Sequence, residues 1–446
     1  MKIAGVFATR VVRFAIGFIT SFVLSRVLGP TGRGIYAVAT LTPTTLVTLG
    51  QLGYPSAFGF FAGRGRSTVR LQRMGIVLTL ILSVLLVGAA LLALPWLEQS
   101  VLKAAPDELL RLAMLSIPFQ LLGTFAGATL VGRQTLRNYN FILVAQSVLS
   151  VVLIVVLVGL LGLGVPGAIW STIAVAVLGA VATTVELRRV AGLDPPPSTS
   201  SRIRMTELTS FGLKIYPASL AGFFGYRADV FLLSAILADA RAIGLYTLGV
   251  SLAELTFFVP DSVSTVFFPR VASLERRSAD EMAASVSRFT VLITALSVFG
   301  LIPAAFAAVY IVLPDFKGSL PAFLILLPGV MSLTVAKVMS SYISGLGLPL
   351  RVAAASGTAL IVNVIANLIL IPILGILGAA LASLISYSVN AGLLLRTGSR
   401  LSGRGARQFI LPTRAEWARL VSGLRELWEM ARSTRRASIP ASDEED

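Results

Sequence analysis

The chain has no cysteine and no histidine in 446 residues. That excludes disulfides, thiol nucleophiles, imidazole bases and most transition-metal sites. Charge is also scarce. Only 13% of residues are charged, against about 25% in soluble domains. A water-soluble surface cannot be covered with so few charges, and 56% of the residues are hydrophobic. No G-x-x-x-x-G-K-[ST] loop is present, so no ATPase is built in, and no cofactor is called for. What the sequence has is long apolar runs, and these define an all-α integral membrane protein.

Twelve hydrophobic segments are expected, at about 5–28, 34–61, 75–96, 109–131, 141–162, 165–186, 208–236, 243–268, 288–313, 320–346, 352–373 and 376–396. Each is long enough for a helix to cross a bilayer and too long for a barrel strand. Pro43, Pro118, Pro217, Pro260, Pro303 and Pro328 are expected kinks. The Pro-rich stretch within 187–207 divides the chain into a six-helix lobe at 1–186 and a second at 208–396. Residues 397–446 form a tail.

The 37 basic residues fix an orientation. With the N-terminus cytoplasmic, 28 of them fall on cytoplasmic connections and ends, six fall opposite, and Lys214, Arg227 and Lys337 lie within spans. Such a bias is the positive-inside pattern, and both termini are expected on the cytoplasmic face of a multi-pass membrane protein. The net charge of +16 is therefore mostly topology, and nothing in its spread indicates nucleic acid.

The halves repeat. Gly34-Ile35-Tyr36 returns as Gly244-Leu245-Tyr246, the GVPGA run from Gly164 as GILGA from Gly375, and Gly132 as Gly345, all at offsets of 210 to 213. Two halves with an even number of spans insert with the same topology, so a parallel pseudo-twofold axis along the membrane normal is expected, with a substrate site between the lobes.

Charged side chains within spans cost several kcal/mol unless they face a cavity or a partner. Arg10, Arg13, Gly17, Thr20 and Ser21 share one face of the first span, with snorkelling to the interface as the alternative for the two arginines. Arg227 lies near the middle of the seventh span, and Lys214 nearer its start. Lys337 lies in the tenth. Glu254 and Asp261 are two turns apart in the eighth, and Asp229 lies two residues beyond Arg227, facing elsewhere. Together they describe a mixed but cationic cavity suited to a phosphorylated or otherwise acidic substrate. Asp229, Glu254 and Asp261 are candidates for cation coupling, with structural ion pairs as the alternative. Asn363 and Asn367 are read as helix-joining groups. In the tail, Thr413 and Glu416 match a capping box that opens an amphipathic helix over 413–432, expected at the membrane interface or on a partner.

Ser25-Arg26-Val27-Leu28-Gly29-Pro30 followed by Gly34-Ile35-Tyr36 resembles the opening of the polysaccharide-exporter flippases. These belong to the multidrug/oligosaccharidyl-lipid/polysaccharide (MOP) transporter superfamily. The resemblance implies a non-enzymatic flippase of the bacterial cytoplasmic membrane. Its implied substrate is an undecaprenyl-pyrophosphate-linked oligosaccharide, moved to the outer leaflet by two rocking lobes around a cationic cavity. Arg26 sits at a motif position, while Arg10, Arg13 and Arg227 carry over only as cavity-facing arginines. Implied partners are the lipid-linked glycan, membrane lipids, and glycosyltransferases or a polymerase of the same pathway. Lipid II flippases share the SRVLG element but carry further spans. A cation-coupled multidrug exporter and a membrane glycosyltransferase or polymerase are the competing readings.

Overall fold

The computed structural model describes residues 2–193, 203–414, 416–418, 421, 422 and 425, without the side chains of residues 2–8 and 10. The described residues contain no strand. An apolar chain in lipid must satisfy its backbone within each segment, and helices do so. Eleven described helices are long and apolar enough to cross a membrane. The first of these, Val11–Gly50, has 40 residues, enough for two crossings of about 20 each.

That first helix, α1 (Lys2–Gly50), is broken at Gly29, where φ is 66° and ψ is 179°. The chain folds back there. Nη1 of Arg33 lies 3.0 Å from the carbonyl of Ser21, twelve residues earlier, which a straight helix would place about 18 Å away along its axis. The expected first and second spans are thus the two arms of α1, the second arm extended by α2 (Tyr54–Gly63). The first half continues with α3 (Thr68–Ser100), the pair α4 (Asp107–Met114) and α5 (Ile117–Gly132), then α6 (Leu136–Ile154) and α7 (Gly164–Gly192).

The second half repeats this order. It runs through α8 (Met205–Leu237) and then α9 (Ala240–Glu254), which a 3₁₀ turn joins to α10 (Phe258–Ala272). There follow α11 (Arg276–Ala307), α12 (Leu320–Gly345), α13 (Pro349–Leu374) and α14 (Ile376–Ser402). The counterpart of the Gly29 break is Ala238, with φ 52°, followed by Asp239, which caps α9 by accepting from the backbone N–H groups of Arg241 and Ala242. The last span of each half starts in the same way, from a left-handed glycine: Gly164 at φ 57° and Gly375 at φ 59°.

The outside of the bundle is apolar. Leu92, Leu160, Ile311, Ile373 and Phe299 are each more than two-thirds exposed, a surface that fits lipid. Of the expected kink prolines, Pro118 and Pro260 follow directly on interruptions of the Asp107–Gly132 and Ala240–Ala272 spans, at the α4–α5 junction and the 3₁₀ turn before α10. Asn363 and Asn367 are buried in α13 and bond to each other along the helix rather than to a neighbour.

A short helix, α15 (Arg407–Ile410), leads into the tail. Half of the expected capping box is formed: the Thr413 N–H donates to the Glu416 carboxylate at 2.8 Å, while the Thr413 hydroxyl also donates to that carboxylate and the Glu416 N–H goes to the Thr413 carbonyl. Glu416 also accepts from Arg288 of α11 at 2.8 Å, so the tail starts docked on the second lobe. Burial raises the Glu416 pKa, but the Arg288 and Thr413 hydrogen bonds outweigh it and hold the group down at about 2. Of the expected 413–432 helix, residues 415, 419, 420, 423, 424 and those beyond 425 lie outside the described residues.

Candidate functional site

The lobes meet most closely beside the Gly29 break. A Cβ added to Gly34 would lie 1.8 Å from the carbonyl oxygen of Ala240, and one added to Gly244 would lie 1.8 Å from that of Pro30. These are repeat-related residues making the same contact on each other, as a pseudo-twofold axis requires. Here α1 and α9 touch backbone to backbone. The Lys103 ammonium adds a bond to the Ala235 carbonyl at 3.0 Å, and the Ala104 N–H one to the Ser234 hydroxyl at 3.2 Å.

Behind this closure lies a cavity of about 430 Å³. Its polar lining includes Thr20, Ser21, Arg33, Thr40, Arg227 and Asp229. Arg227 pairs with Glu254 of α9 at 3.4 Å. Asp229 is buried, accepting the Tyr246 hydroxyl and the N–H of Val230. Arg33 is 5% exposed and is held by hydroxyl and carbonyl oxygens of Ser21, Ser25, Thr247 and Ser251. Its position just after a chain reversal reads in the sequence as an outer-loop cation, and its acceptors in α9 lie more than 210 residues away. Only the reversal itself, four residues upstream, signals that its side chain can turn inward.

Away from the Gly29 end the lobes are joined along two seams related by the repeat. Between α2 and α8 the packing is tight. Phe60 stacks on Phe211 with centroids 4.2 Å apart, the Tyr54 and Thr209 hydroxyls bond at 3.0 Å, and the Tyr216 hydroxyl donates to the Leu49 carbonyl at 2.5 Å. A Cβ on Gly53 would lie 2.2 Å from the Gly212 carbonyl. Between the first arm of α1 and α10, Phe14 and Phe258 meet with centroids 5.6 Å apart. These two rings border an open space of about 780 Å³ with polar walls from Arg13, Asp261, Ser262, Ser264 and Thr265. The same rings also border a groove of about 290 Å³ lined by Val11, Ala15, Leu255, Val259 and Leu301. A polar space and an apolar one thus share a two-ring wall.

The structure brings some of the sequence candidates together and separates others. Arg227 with Glu254, and Asp229, gather at the central cavity, and Arg13 with Asp261 at the α1–α10 seam. Asp261 also pairs with Lys337, whose ammonium lies 4.3 Å from the Phe257 ring centre and lines a small pocket inside the second lobe. Lys214 is exposed on a shallow groove at the start of α8, and Arg26 is exposed three residues before the break. The Arg10 side chain lies outside the described residues. Glu254 and Asp261 each neutralise a candidate cation, so the cavity charge is more balanced than a residue count suggests. At the central cavity Arg33 and Arg227 are matched in number by Asp229 and Glu254, and Arg33 is the cation whose hydrogen-bond partners carry no charge.

Two repeated six-helix lobes around a polar cavity define a multi-pass membrane protein of the MOP transporter fold. The family profile described as polysaccharide biosynthesis protein matches residues 3–275, more than half the chain, and the chain belongs to that family. The succinoglycan biosynthesis transport protein ExoT of Rhizobium meliloti (strain 1021) is 28% identical over 299 residues. The match covers 65% of this chain and 57% of the length of that relative, so the chain spans less than two-thirds of it. Among solved structures, the lipid II flippase MurJ in an inward closed conformation superposes with a TM-score of 0.68 at 15% identity, over 91% of this chain and 88% of that one. An inward-facing multidrug resistance MATE family transporter gives 0.65 at 17% identity, over 88% and 98%. At such identities the likeness is one of fold.

Proposed function

We propose that the protein is a flippase that moves a polyprenyl-pyrophosphate-linked oligosaccharide from the cytoplasmic to the outer leaflet by alternating access. The observation that carries this reading is the Phe14–Phe258 wall, with a polar space and an apolar groove both bordered by the same two rings. A substrate with an anionic sugar-bearing head and a long hydrocarbon tail matches that arrangement. The head occupies the polar space and the tail remains in the groove and the lipid. The family and the transport relative support the polysaccharide branch.

In this reading the positive-inside bias puts both termini in the cytoplasm of a bacterial inner membrane, with the Gly29 end outward. The α1–α10 seam then admits the headgroup from the cytoplasmic leaflet. Arg13 meets the pyrophosphate first and Arg227 holds it deeper, and their guanidinium groups suit phosphate oxygens. Closure of that seam and opening at Gly34–Gly244 expose the head outside. An inside-negative potential favours outward anion movement by about 2.3 kcal/mol per charge per 100 mV. Glycosyltransferases and a polymerase of the same pathway supply and consume the glycan.

The test is translocation of a defined polyprenyl-pyrophosphate glycan in proteoliposomes. Wild type flips it, and Arg13→Ala and Arg227→Ala flip it at least about tenfold more slowly, the effect of losing one charged contact. Wild-type rates in both folded variants would overturn the cationic-cavity reading. No translocation by wild type would overturn the substrate.

A further inference from the structure

A guanidinium buried in a protein normally faces a carboxylate, because an uncompensated charge costs several kcal/mol in a dry interior. Arg33 faces none. All its nitrogens are engaged by neutral oxygens. Nη1 donates to the Ser21 carbonyl at 3.0 Å, to the Ser21 hydroxyl at 3.1 Å and to the Ser25 hydroxyl. Nε donates to the Thr247 hydroxyl at 3.3 Å. Nη2 donates to the Thr247 carbonyl at 3.2 Å and the Ser251 hydroxyl at 2.9 Å. One side chain therefore ties both arms of α1 to α9 of the other lobe, one residue from the Gly34–Gly244 contact.

The residue is also placed to meet a ligand. Arg33, Thr247 and Ser251 all line the central cavity, so an anion inside it meets the guanidinium on the edge that joins the lobes. The repeat supplies no second copy, since the residue 210 positions on, Ile243, is a fully buried aliphatic side chain.

We propose that Arg33 is a latch holding the Gly29 end shut, and that a phosphate-bearing headgroup opens it by taking the Nε–Nη2 edge in place of Thr247 and Ser251. The inference rests on the anionic-headgroup substrate proposed above. Bidentate bonds to phosphate are charge-assisted and about twice as strong as bonds to neutral oxygens. A ligand shifts a conformational equilibrium only through differential affinity for the two states. Here that difference is built in, because the closed state uses the same N–H groups that the anion needs. Without substrate the latch stays made and the closed end does not leak.

The native chain has no cysteine, so two introduced cysteines give clean reporters. Glu108 and Asp315 are exposed, one in each lobe, and suit spin labels as Glu108→Cys and Asp315→Cys. The inter-label distance distribution is measured in lipid nanodiscs, alone and with farnesyl pyrophosphate, inorganic pyrophosphate or farnesol. In the wild-type background a longer distance is expected with a pyrophosphate and none with farnesol. A response to the soluble anion alone assigns the latch to the phosphate itself, and a response that needs the prenyl chain assigns it to the lipid headgroup. Arg33→Gln is expected to raise the unliganded open fraction at least roughly tenfold, the shift for losing even one of its three charged hydrogen bonds to α9, and to abolish the response. Thr247→Val with Ser251→Ala, which keeps Arg33, is expected to open the same end should Arg33→Gln fail to fold.

The proposal is overturned if these variants stay as closed as wild type, or if pyrophosphate opens Arg33→Gln as far as wild type. Translocation measured on the same labelled proteins separates the two readings. Flipping of the glycan with no distance response sinks the latch alone. A pyrophosphate response that needs Arg33, without flipping of the glycan, sinks the substrate alone.

Discussion

The two seams that join the lobes away from the Gly29 end are equivalent by the repeat and differ in construction. The α2–α8 seam combines a glycine backbone contact, an aromatic stack and two side-chain hydrogen bonds. The α1–α10 seam includes a pair of tilted rings set between two open spaces. Repetition of a fold therefore does not impose equal packing on equivalent contacts. Under the proposed function, side chains placed on a symmetric frame make one seam a wall and the other a door.

The largest effect is expected from adding one carbon to the wall. A Cβ on Gly212 would lie 2.7 Å from the Leu52 carbonyl, and backbone cannot move aside as a side chain can. Gly212→Ala should cost about 1–3 kcal/mol in thermal stability and lower transport with it. Gly222→Ala, in the same helix with nothing within 4 Å, should be neutral or slightly stabilising, by up to about 1 kcal/mol. Equal effects from both would remove the claim that the α2–α8 seam is held by close backbone approach.

Between the seams, a double-mutant cycle sharpens the role of Arg227. The single change Arg227→Ala should slow transport about tenfold. If Arg227 binds substrate, adding Glu254→Ala does not restore the rate. Recovery to near wild type would show that the pair is structural and that the single variant suffers from a stranded carboxylate.

A smaller contrast is expected from Tyr54→Phe and Phe14→Leu. The first removes the hydroxyl that meets Thr209 and should lower stability by about 1 kcal/mol. The second changes an aromatic contact on the loose seam and should leave stability within about 0.5 kcal/mol while altering the apparent affinity for the lipid-linked substrate.

The smallest effect concerns the tail, docked on α11, which also contributes Leu301 to the apolar groove. Glu416 has its folded pKa lowered from 4.5 to about 2. Its contribution is fully present above pH about 4.5 and is lost as the pH falls toward about 2. Protection from hydrogen exchange over residues 407–418, taken relative to the intrinsic rate at each pH, should fall across that window in wild type and not in Glu416→Gln.

Much of the architecture was legible because backbone geometry demands it. Gly34 and Gly244 recur because backbones touch there, and Gly164 and Gly375 because each begins a span from a left-handed turn. A side chain is costly at such positions, so glycine recurs there at a fixed offset in the chain. The first reversal was legible for the same reason, through Gly29 and Pro30. Arg33 was not. A charge four residues past a turn reads as a loop cation, and only folding brings Ser251 to within 2.9 Å of it. Nor was the pairing of Lys337 with Asp261, since two helices separated by 76 residues carry no shared pattern. The split between seams was equally hidden, because Phe14, Phe60 and Phe211 look alike in sequence and differ in what surrounds them.

The most direct test of the door and the wall uses the absence of native cysteine. Phe14→Cys with Phe258→Cys, and separately Tyr54→Cys with Thr209→Cys, are joined by a short bifunctional thiol reagent in proteoliposomes, and glycan translocation is followed. Linking residues 14 and 258 should abolish flipping, and reduction of a cleavable linker should restore it. Linking 54 and 209 should leave most of the rate. Loss of transport from the 54–209 link, or survival of transport with 14 and 258 joined, would contradict it.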